Sequence, residues 1–328
     1  SVPPLLRGVV EARKIELEKP VIRLRTEADG SGNWRKLQIS ESNLAYIPRD
    51  VALNSVRINQ GTLLFESHHG HEITKLTDIT GEMSATALSG PYKFIGTALF
   101  GDKVQEVRLA TARMATDGLM RFSGSVRHAD NSTVHSVTGT LADLMGSPSA
   151  TGRLTSTTRP PRDPGKTARG AGYEMTADIK LDARLLRLDN IAIAFQNNDR
   201  RQTLNGSATT SWRESVATET VLSARWLDLD AIAGTAAQEG PLIALERLLT
   251  RGIEPLGAGV TSDDLTSDQA NLGGTAISNL KGRMTRRDGV TKIETLRASL
   301  PGRSALALDG FLEHRANGLH FDGNVLLN

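Results

Sequence analysis

The sequence predicts an all-β fold of mainly antiparallel strands, with one or two short helices. Apolar and polar residues alternate in many short runs, as in Val56-Arg57-Ile58-Asn59 and Phe94-Ile95-Gly96, and such alternation places one set of side chains on one face of a sheet. Turn dipeptides such as Asp29-Gly30, Asp117-Gly118 and Asn205-Gly206 separate the runs and favour tight hairpins. Glycine supplies 31 of the 328 residues, which indicates many turns and many short elements.

The composition excludes several classes of protein. Lys and Arg total 39 and Asp and Glu total 37, a formal net charge of +2, whereas a dedicated nucleic-acid binder carries a concentrated basic face. There is no cysteine, which excludes disulfides, thiolate catalysis and cysteine metal sites. Hydrophobic residues make up 38% of a chain that is long enough to bury a substantial core.

The chain contains neither a signal peptide nor an apolar run of the ~18 residues that a membrane-spanning helix requires. It begins with Ser1 rather than Met, and the last segment, Phe321 to Leu327, has the pattern of a strand. We therefore expect the sequence to be an excerpt of a longer protein.

A proline-rich segment divides the chain. Residues 155–170 contain three prolines and no large apolar residue, which predicts a loop or linker between β-regions 1–154 and 171–328. Leucines at helical spacing predict a helix over Pro241 to Thr250. Ser40 to Leu44 and Thr261 to Ala270 are further candidates for short helical turns.

Residue types that support catalysis occur without the spacing that catalysis requires. His68, His69 and His71 lie at a predicted hairpin turn, where adjacent side chains diverge, so we expect solvated histidines rather than a zinc site. Gly165-Lys166-Thr167 ends like a phosphate-binding loop, but Pro160 stands at the position of its first glycine. We therefore expect no catalytic residue, no metal site and no cofactor.

Five motifs occur in a recognisable order along the chain. Lys19–Leu24 and then Asp29-Gly30-Ser31-Gly32-Asn33-Trp34 are similar to the KP-x-I-x-L and NW stretch near the start of AsmA-like proteins. Other stretches resemble later family motifs, namely Val56–Phe65, Leu88–Gly96, Leu227–Asp230 and Leu300–Gly310. The chain therefore resembles the AsmA-like family, which is related to the TamB and YhdP groups of bacterial envelope proteins.

The resemblance implies both a fold and a function. Family members are thought to be long, curved β-sheets with a hydrophobic groove, anchored in the inner membrane by an N-terminal helix that this chain lacks. Their body lies in the periplasm and moves phospholipid toward the outer membrane. The resemblance thus implies a non-enzymatic lipid-transfer segment of outer-membrane biogenesis. Its motif residues with structural roles are Asp29, Gly30, Asn33, Trp34, Pro301 and Gly302.

Acyl chains need a continuous apolar track, which neighbouring alternating strands supply. Small residues such as Gly96 and Gly124 leave room for lipid tails. The candidate groove residues are Ile58, Leu63, Phe65, Phe94, Phe122, Val126, Ile193, Phe195, Leu306, Leu308, Phe321 and Val325. Because neighbouring positions on a strand face oppositely, the choice of Leu306 with Leu308 and of Phe321 with Val325 assumes which parity faces the groove.

Two other classes of protein fit the same patterns. A structural or interaction β-sandwich would use these residues to fill a closed core between two sheets. A carbohydrate-acting β-enzyme would need two carboxylates in a cleft with aromatic platforms, and the chain has only 3 Trp and 3 Tyr.

Overall fold

The computed structural model describes residues 9–34, 50–87, 89–101, 103–129, 132–144, 146–159, 172–197, 200–212, 215–233, 244–245, 259–287, 289–315 and 318–328. The chain divides into two compact units. Unit 1 comprises Ser1–Thr155 with Ile179–Leu185, and unit 2 comprises Ser156–Asp178 with Leu186–Asn328.

The described residues up to Thr158 form ten strands. They are β1 (Val9–Ala12), β2 (Ile15–Glu18), β3 (Val21–Arg25), β4 (Asp50–Glu66), β5 (Glu72–Ala85), β6 (Tyr92–Phe100), β7 (Lys103–Thr111), β8 (Met120–His128), β9 (Thr133–Ala142) and β10 (Ser149–Thr158). The short strands β1, β2 and β3 pair in parallel with successive parts of β4. From β4 to β9, each strand pairs with the next in antiparallel register.

In the second half of the chain, too, most neighbouring strands pair in antiparallel register. Its strands are β11 (Gly172–Leu181), β12 (Leu185–Asn197), β13 (Arg200–Ser211), β14 (Ala217–Asp228), β15 (Val260–Leu272), β16 (Thr275–Arg287), β17 (Val290–Leu300), β18 (Ser304–Arg315) and β19 (Gly318–Leu327). Strands β14 and β15 are parallel, and β15 to β19 pair antiparallel in sequence. A short helix, α1 (Leu229–Ala233), follows β14.

The prediction of an all-β, mainly antiparallel fold with few short helices is confirmed. The helical turn predicted at Thr261 to Ala270 is wrong, because these residues belong to β15, which is hydrogen-bonded to β14 on one side and β16 on the other. Pairing on both edges outweighs the weak local preference of its Asp and Ser residues.

Three other predictions fall partly or wholly outside the described residues. The predicted linker 155–170 begins inside β10, which continues to Thr158 because its threonines are good strand formers, and residues 160–171 lie outside the described part. In the predicted helix Pro241 to Thr250, only Ala244 and Leu245 are described, and both are helical. The predicted turn Ser40 to Leu44 lies outside the described residues.

β-Bulges keep the same face of unit 1 apolar along the whole of β4. Ile58 and Leu63 have opposite parity in sequence, yet the register shifts on both sides of Gly61 return them to one face. Gln60 in β4 and Asp78 in β5 adopt left-handed conformations, with φ of 53° and 50°. An extra residue at a bulge bends the strand and increases its twist. The bulges therefore let a long strand bend without turning its apolar side chains outward.

Aromatic rings cover pairs of glycines that face each other across neighbouring strands. Gly81 lies opposite Gly96, and a Cβ added at Gly96 would lie 2.9 Å from Cζ of Phe94 and 2.7 Å from Cα of Gly81. The same arrangement recurs in unit 2, where Phe321 covers the Gly310–Gly323 pair. In these two Phe-x-Gly sequences, the ring two residues before the glycine thus fills the space above a glycine pair.

The two aspartates of Leu227-Asp228-Leu229-Asp230 hold the connection after β14. Asp228 caps α1 by accepting a hydrogen bond from Ala231 N at 3.1 Å. Asp230 is buried, with 4% of its surface exposed, and its carboxylate accepts hydrogen bonds from Gly273 N at 2.5 Å and Gly274 N at 2.9 Å. The motif therefore ties α1 to the turn between β15 and β16.

We expect Gly96→Ala to destabilise unit 1 by about 2 kcal/mol, because the new methyl group would collide with the backbone of Gly81 and Thr80. Urea unfolding measures the loss. Gly124→Ala is the matched control on β8, because its Cβ would meet only side-chain ends at 3.3 and 3.6 Å and a carbonyl at 3.7 Å. Equal losses for the two variants would contradict the glycine-pair account.

Asp230→Ala should lower the free energy of unfolding of unit 2 by about 3 kcal/mol, since it leaves two backbone N–H groups near the β15–β16 turn without their carboxylate acceptor. Asp228→Ala removes only a helix cap, for which we expect about 1 kcal/mol. Thermal unfolding followed by circular dichroism ranks the two variants. The reverse ranking is incompatible with the proposed role of Asp230.

Candidate functional site

The register of unit 1 brings its six candidate groove residues to one sheet face. Phe94 lies opposite Leu109, Val107 opposite Val126, and these pairs share the parity that contains Ile58. Across strands β4 to β9 this apolar face consists of Val56, Ile58, Leu63, Phe65, Leu76, Met83, Phe94, Ala98, Phe100, Val107, Leu109, Met120, Phe122, Val126, Val137 and Leu141. Neighbouring strands are ~4.8 Å apart, so the face spans about 24 Å across these strands.

The other side of the same strands carries most of the charges. Arg57 pairs with Glu82, Arg108 with Ile95, and Glu106 with Arg127, all on the face opposite Phe94. Strands with one apolar and one charged face form a layer that buries only one of its sides.

Many side chains on the apolar face of unit 1 remain partly open, although Val56, Ala98 and Met120 are buried. The six candidates Ile58, Leu63, Phe65, Phe94, Phe122 and Val126 are all half-buried. Phe100 and Leu109 on the same face are 55% and 43% exposed. Substantial contacts among the described elements of unit 1 join strands that are sheet neighbours. Within the described residues, the face is therefore a broad apolar surface on a single layer of strands.

The corresponding face of unit 2 combines a buried cluster with exposed positions. Leu308 lies opposite Val325 and Leu312 opposite Phe321, so the candidates Leu306, Leu308, Phe321 and Val325 also share one face. Ile293, Leu308 and Leu312 form a buried cluster, and the candidates Leu306, Leu308, Phe321 and Val325 differ in exposure from 8% at Leu308 to 54% at Val325.

Leu245 explains much of this difference. It comes from the connection between β14 and β15 and packs against the Ile293 cluster together with Met284, Leu296 and Phe321. Its neighbour Ala244 is fully buried. Part of the apolar face of unit 2 is thus occupied by the chain itself.

The remaining two candidates lie on β12. Ile193 is buried and Phe195 is half-buried, and their parity places both on one face with Ile191. The ring of Phe195 lies 6.3 Å from that of Tyr173 on β11. These residues form an aromatic and aliphatic patch of their own within unit 2.

Asp29, Gly30, Asn33 and Trp34 shape the chain after β3. Gly30, with φ of 85°, forms a tight turn in which Asp29 accepts a hydrogen bond from Ser31 N. The Asn33 amide accepts from Arg25 N at 3.0 Å and donates to Arg23 O at 2.9 Å. It thereby bonds to the backbone of β3 as an additional strand residue would.

Trp34 connects this turn to a distant part of unit 1. Its Nε1 donates a hydrogen bond to Leu144 O at 2.9 Å, and its indole packs so closely on Gly32 that a Cβ there would overlap the ring. These contacts are intramolecular, and they place Trp34 as an anchor of the turn.

Pro301 and Gly302 build the tight connection between β17 and β18. Residues Pro301–Arg303 form one 3₁₀ turn, in which Gly302 has φ of 81°.

His68, His69 and His71 are exposed at the turn between β4 and β5. Among the described residues, no group of three or more histidine, cysteine, aspartate or glutamate side chains is placed to hold a metal ion.

A polar patch borders the apolar face of unit 1 on strands β7 to β9, and the sequence reasoning missed it. Its members are Gln105, His128, Thr133 and His135, which we call the histidine patch. Gln105 lies opposite His128. The centroids of the His128 and His135 rings are 6.2 Å apart. The alternation along β8 could have placed His128 on the apolar face, because it follows Phe122, Gly124 and Val126 at intervals of two residues.

The patch has an electrostatic consequence. Burial, and then the neighbouring His128 imidazole, lower the pKa of His135 below its ordinary value. A proton on His135 would be poorly solvated on a largely apolar face. Near neutral pH, the folded protein therefore holds His135 in its uncharged form.

We expect the stability of unit 1 to fall when the solution is acidified. Because the pKa of His135 is lower in the folded state than in the unfolded state, its contribution is present above the unfolded value of ~6.5 and is lost as the pH falls below that value. Urea midpoints measured from about pH 7.5 to about pH 5 test this, and His135→Gln should flatten the curve. His69→Gln, in the exposed turn, should leave the curve unchanged; an equally flattened curve would contradict the assignment.

Comparisons of the chain with models of protein families, with curated proteins and with solved structures found no match. Among the described residues, no helix has both the length and the hydropathy to cross a bilayer. The resemblance to AsmA-like proteins thus rests on the sequence motifs, and the site itself is an apolar sheet face bordered by the histidine patch.

Proposed function

We propose that this chain is a non-enzymatic lipid-binding segment that shields phospholipid acyl chains on the apolar face of unit 1. The observation that carries the proposal is the common register of the unit 1 candidates, which gathers apolar side chains from strands β4 to β9 on one half-open face. An exposed apolar surface of this breadth is typical of a binding site rather than of a free protein surface.

The size of the face suits a lipid tail. One leaflet of a bilayer core is ~15 Å deep, half of the ~30 Å hydrocarbon thickness, and the apolar face extends about 24 Å across its strands. Burying each methylene of a tail contributes ~0.8 kcal/mol. Ten methylenes would therefore supply about 8 kcal/mol before the costs of association.

Shape and hydrophobicity, rather than directed polar contacts, would hold such tails. Gly81 and Gly96, which the Phe94 ring covers, have no side chains and therefore add no projecting group to the face on strands β5 and β6. A smooth apolar surface does not fix a tail at one position. The same face could therefore pass a tail from one strand to the next, which is what lipid transfer requires.

In the cell, we place this activity in the periplasm of a bacterium, within an AsmA-like protein of outer-membrane biogenesis anchored in the inner membrane. The order of the motifs supports this placement, from Lys19–Leu24 through Asp29–Trp34 to Leu300–Gly310. The absence of cysteine is compatible with an oxidising compartment.

A closed structural or interaction β-sandwich is the second candidate, and one observation favours it locally. The buried cluster of Ile293, Leu308 and Leu312 under Leu245 has the character of an ordinary core. A sandwich would bury the apolar face of unit 1 in the same way. The half-open side chains there, including Leu109 at 43% exposure, favour the lipid-binding function.

A pair of substitutions on opposite faces tests the proposal. Leu109 and Ile95 are aliphatic residues of adjacent strands, 43% and 46% exposed, on the apolar and the charged face respectively. Delipidated protein should take up a phospholipid with a fluorescent tail. Leu109→Glu should reduce this uptake at least about tenfold, because a carboxylate would be desolvated by the tail, whereas Ile95→Glu should leave uptake within about twofold.

Circular dichroism and thermal unfolding verify that both variants are folded. Since both positions are similarly exposed, we expect similar small changes in stability, within about 0.5 kcal/mol. Uptake that is equally reduced in both variants, or a well-folded wild-type protein that takes up no phospholipid, would defeat the proposal.

A further inference from the structure

The histidine patch lies at the border of the apolar face of unit 1, where polar side chains replace aliphatic ones. Val107 lies opposite Val126, and the next pair on the same face is Gln105 with His128. His135 lies opposite Val126 and hence diagonal to His128. Two imidazoles therefore stand at the border of a surface otherwise built of hydrocarbon.

Gln105 gives the patch a polar atom without a partner. The side chain is only 6% exposed, and its Oε1 has no hydrogen-bond partner. Buried polar groups are almost always satisfied, so this side chain has a hydrogen bond to offer to a group from outside the chain. The amide can present either its oxygen or its NH₂ group by turning over about its terminal bond, and the NH₂ group would donate to an anionic ligand.

The charges on the surrounding strands leave room for an anion. The face positions of β6 next to the patch are Ala98, opposite Gln105, and Phe100, opposite Lys103, which adds a positive charge at the end of β7. Among the described face positions of β6 to β9 there is no carboxylate, because Glu106 points to the opposite face. An anion beside the imidazoles would thus meet donors and no negative charge on these strands.

We propose that the histidine patch binds the phosphate group of a lipid whose tails lie on the apolar face of unit 1. The inference rests on the proposed function, since it needs the tails to be there. The imidazole N–H groups of His128 and His135 and the Gln105 amide would donate to phosphate oxygens, and charge-assisted bonds of this kind are the strong ones. The headgroup thereby gives a smooth apolar surface one preferred position for the lipid.

Protonation would couple this binding to pH. Without ligand, burial and His128 keep the pKa of His135 low. A phosphate anion beside the rings favours their charged form, so a proton from solvent accompanies the lipid phosphate. Binding of the phosphate should therefore become tighter as the solution is acidified.

Two fluorescent lipids with identical tails test the inference on the full chain. One is phosphatidylglycerol, whose phosphodiester keeps a single negative charge over the tested pH range, and the other is diacylglycerol, which has no phosphate. The wild-type protein should prefer phosphatidylglycerol, and the preference should grow roughly tenfold between about pH 7.5 and about pH 5.5. The double variant His128→Gln/His135→Gln should bind diacylglycerol as the wild type does and show no growth in preference.

The control double variant is His68→Gln/His69→Gln, which changes the same residue types in the exposed β4–β5 turn. It should retain the full pH-dependent preference. Uptake of both lipids with no preference in the wild type would overturn the headgroup site but leave the proposed function intact. Uptake of neither lipid would overturn the proposed function, and the headgroup site with it.

Free phosphate is the other possible source of the same chemistry. Titration of inorganic phosphate, followed through the histidine ring resonances by NMR, separates the two. We expect no saturable shift with inorganic phosphate and a saturable shift of the His128 and His135 resonances with phosphatidylglycerol. Equal shifts from both would overturn the assignment to a lipid and indicate a site for free phosphate.

Discussion

The structure depends on keeping every apolar side chain on the same face of a sheet while its strands bend. A shift of one residue in register turns an entire strand inside out, so each bend has to be compensated where it occurs. In unit 1 the left-handed residues Gln60 and Asp78 provide that compensation. In unit 2 a left-handed Asn279 accompanies the register shift between Ser278 and Lys281. Bulged strands thus combine curvature with a constant apolar face.

The local sequence was sufficient to predict where strands occur, but not which side chains share a face of the sheet. Alternation predicted the runs around Val56, Phe94 and Phe122, because the period of two is a property of each strand alone. The common face of Ile58 and Leu63, however, arises from bulges and from pairing with β5, which no run of residues displays. β15 shows the same limit, since only its two hydrogen-bonded neighbours make a strand of the polar sequence Thr261 to Ala270.

The same limit applies to the candidate site: the local sequence indicates which residues share a face, whereas long-range contacts determine how exposed they are. The parity chosen for Leu306, Leu308, Phe321 and Val325 leads to one face. Their exposure was beyond prediction, because Leu245, more than forty residues away in sequence from Ile293, decides how much of that face is covered. Similar apolar surfaces thus differ in availability: the chain fills part of one in unit 2, whereas the described part of the other in unit 1 is half-open.

The histidine patch follows from the energetic cost of charge on an apolar face. A lysine or arginine at His135 would stay charged and lose solvation at its half-buried position. Histidine avoids this cost by releasing its proton, as the lowered pKa of His135 expresses, and it can regain the proton when an anion lies beside it. Imidazoles therefore meet two opposing requirements at the border of the apolar face. They add no fixed charge to the hydrocarbon surface, yet they would supply positive charge to the lipid phosphate that we propose as their ligand.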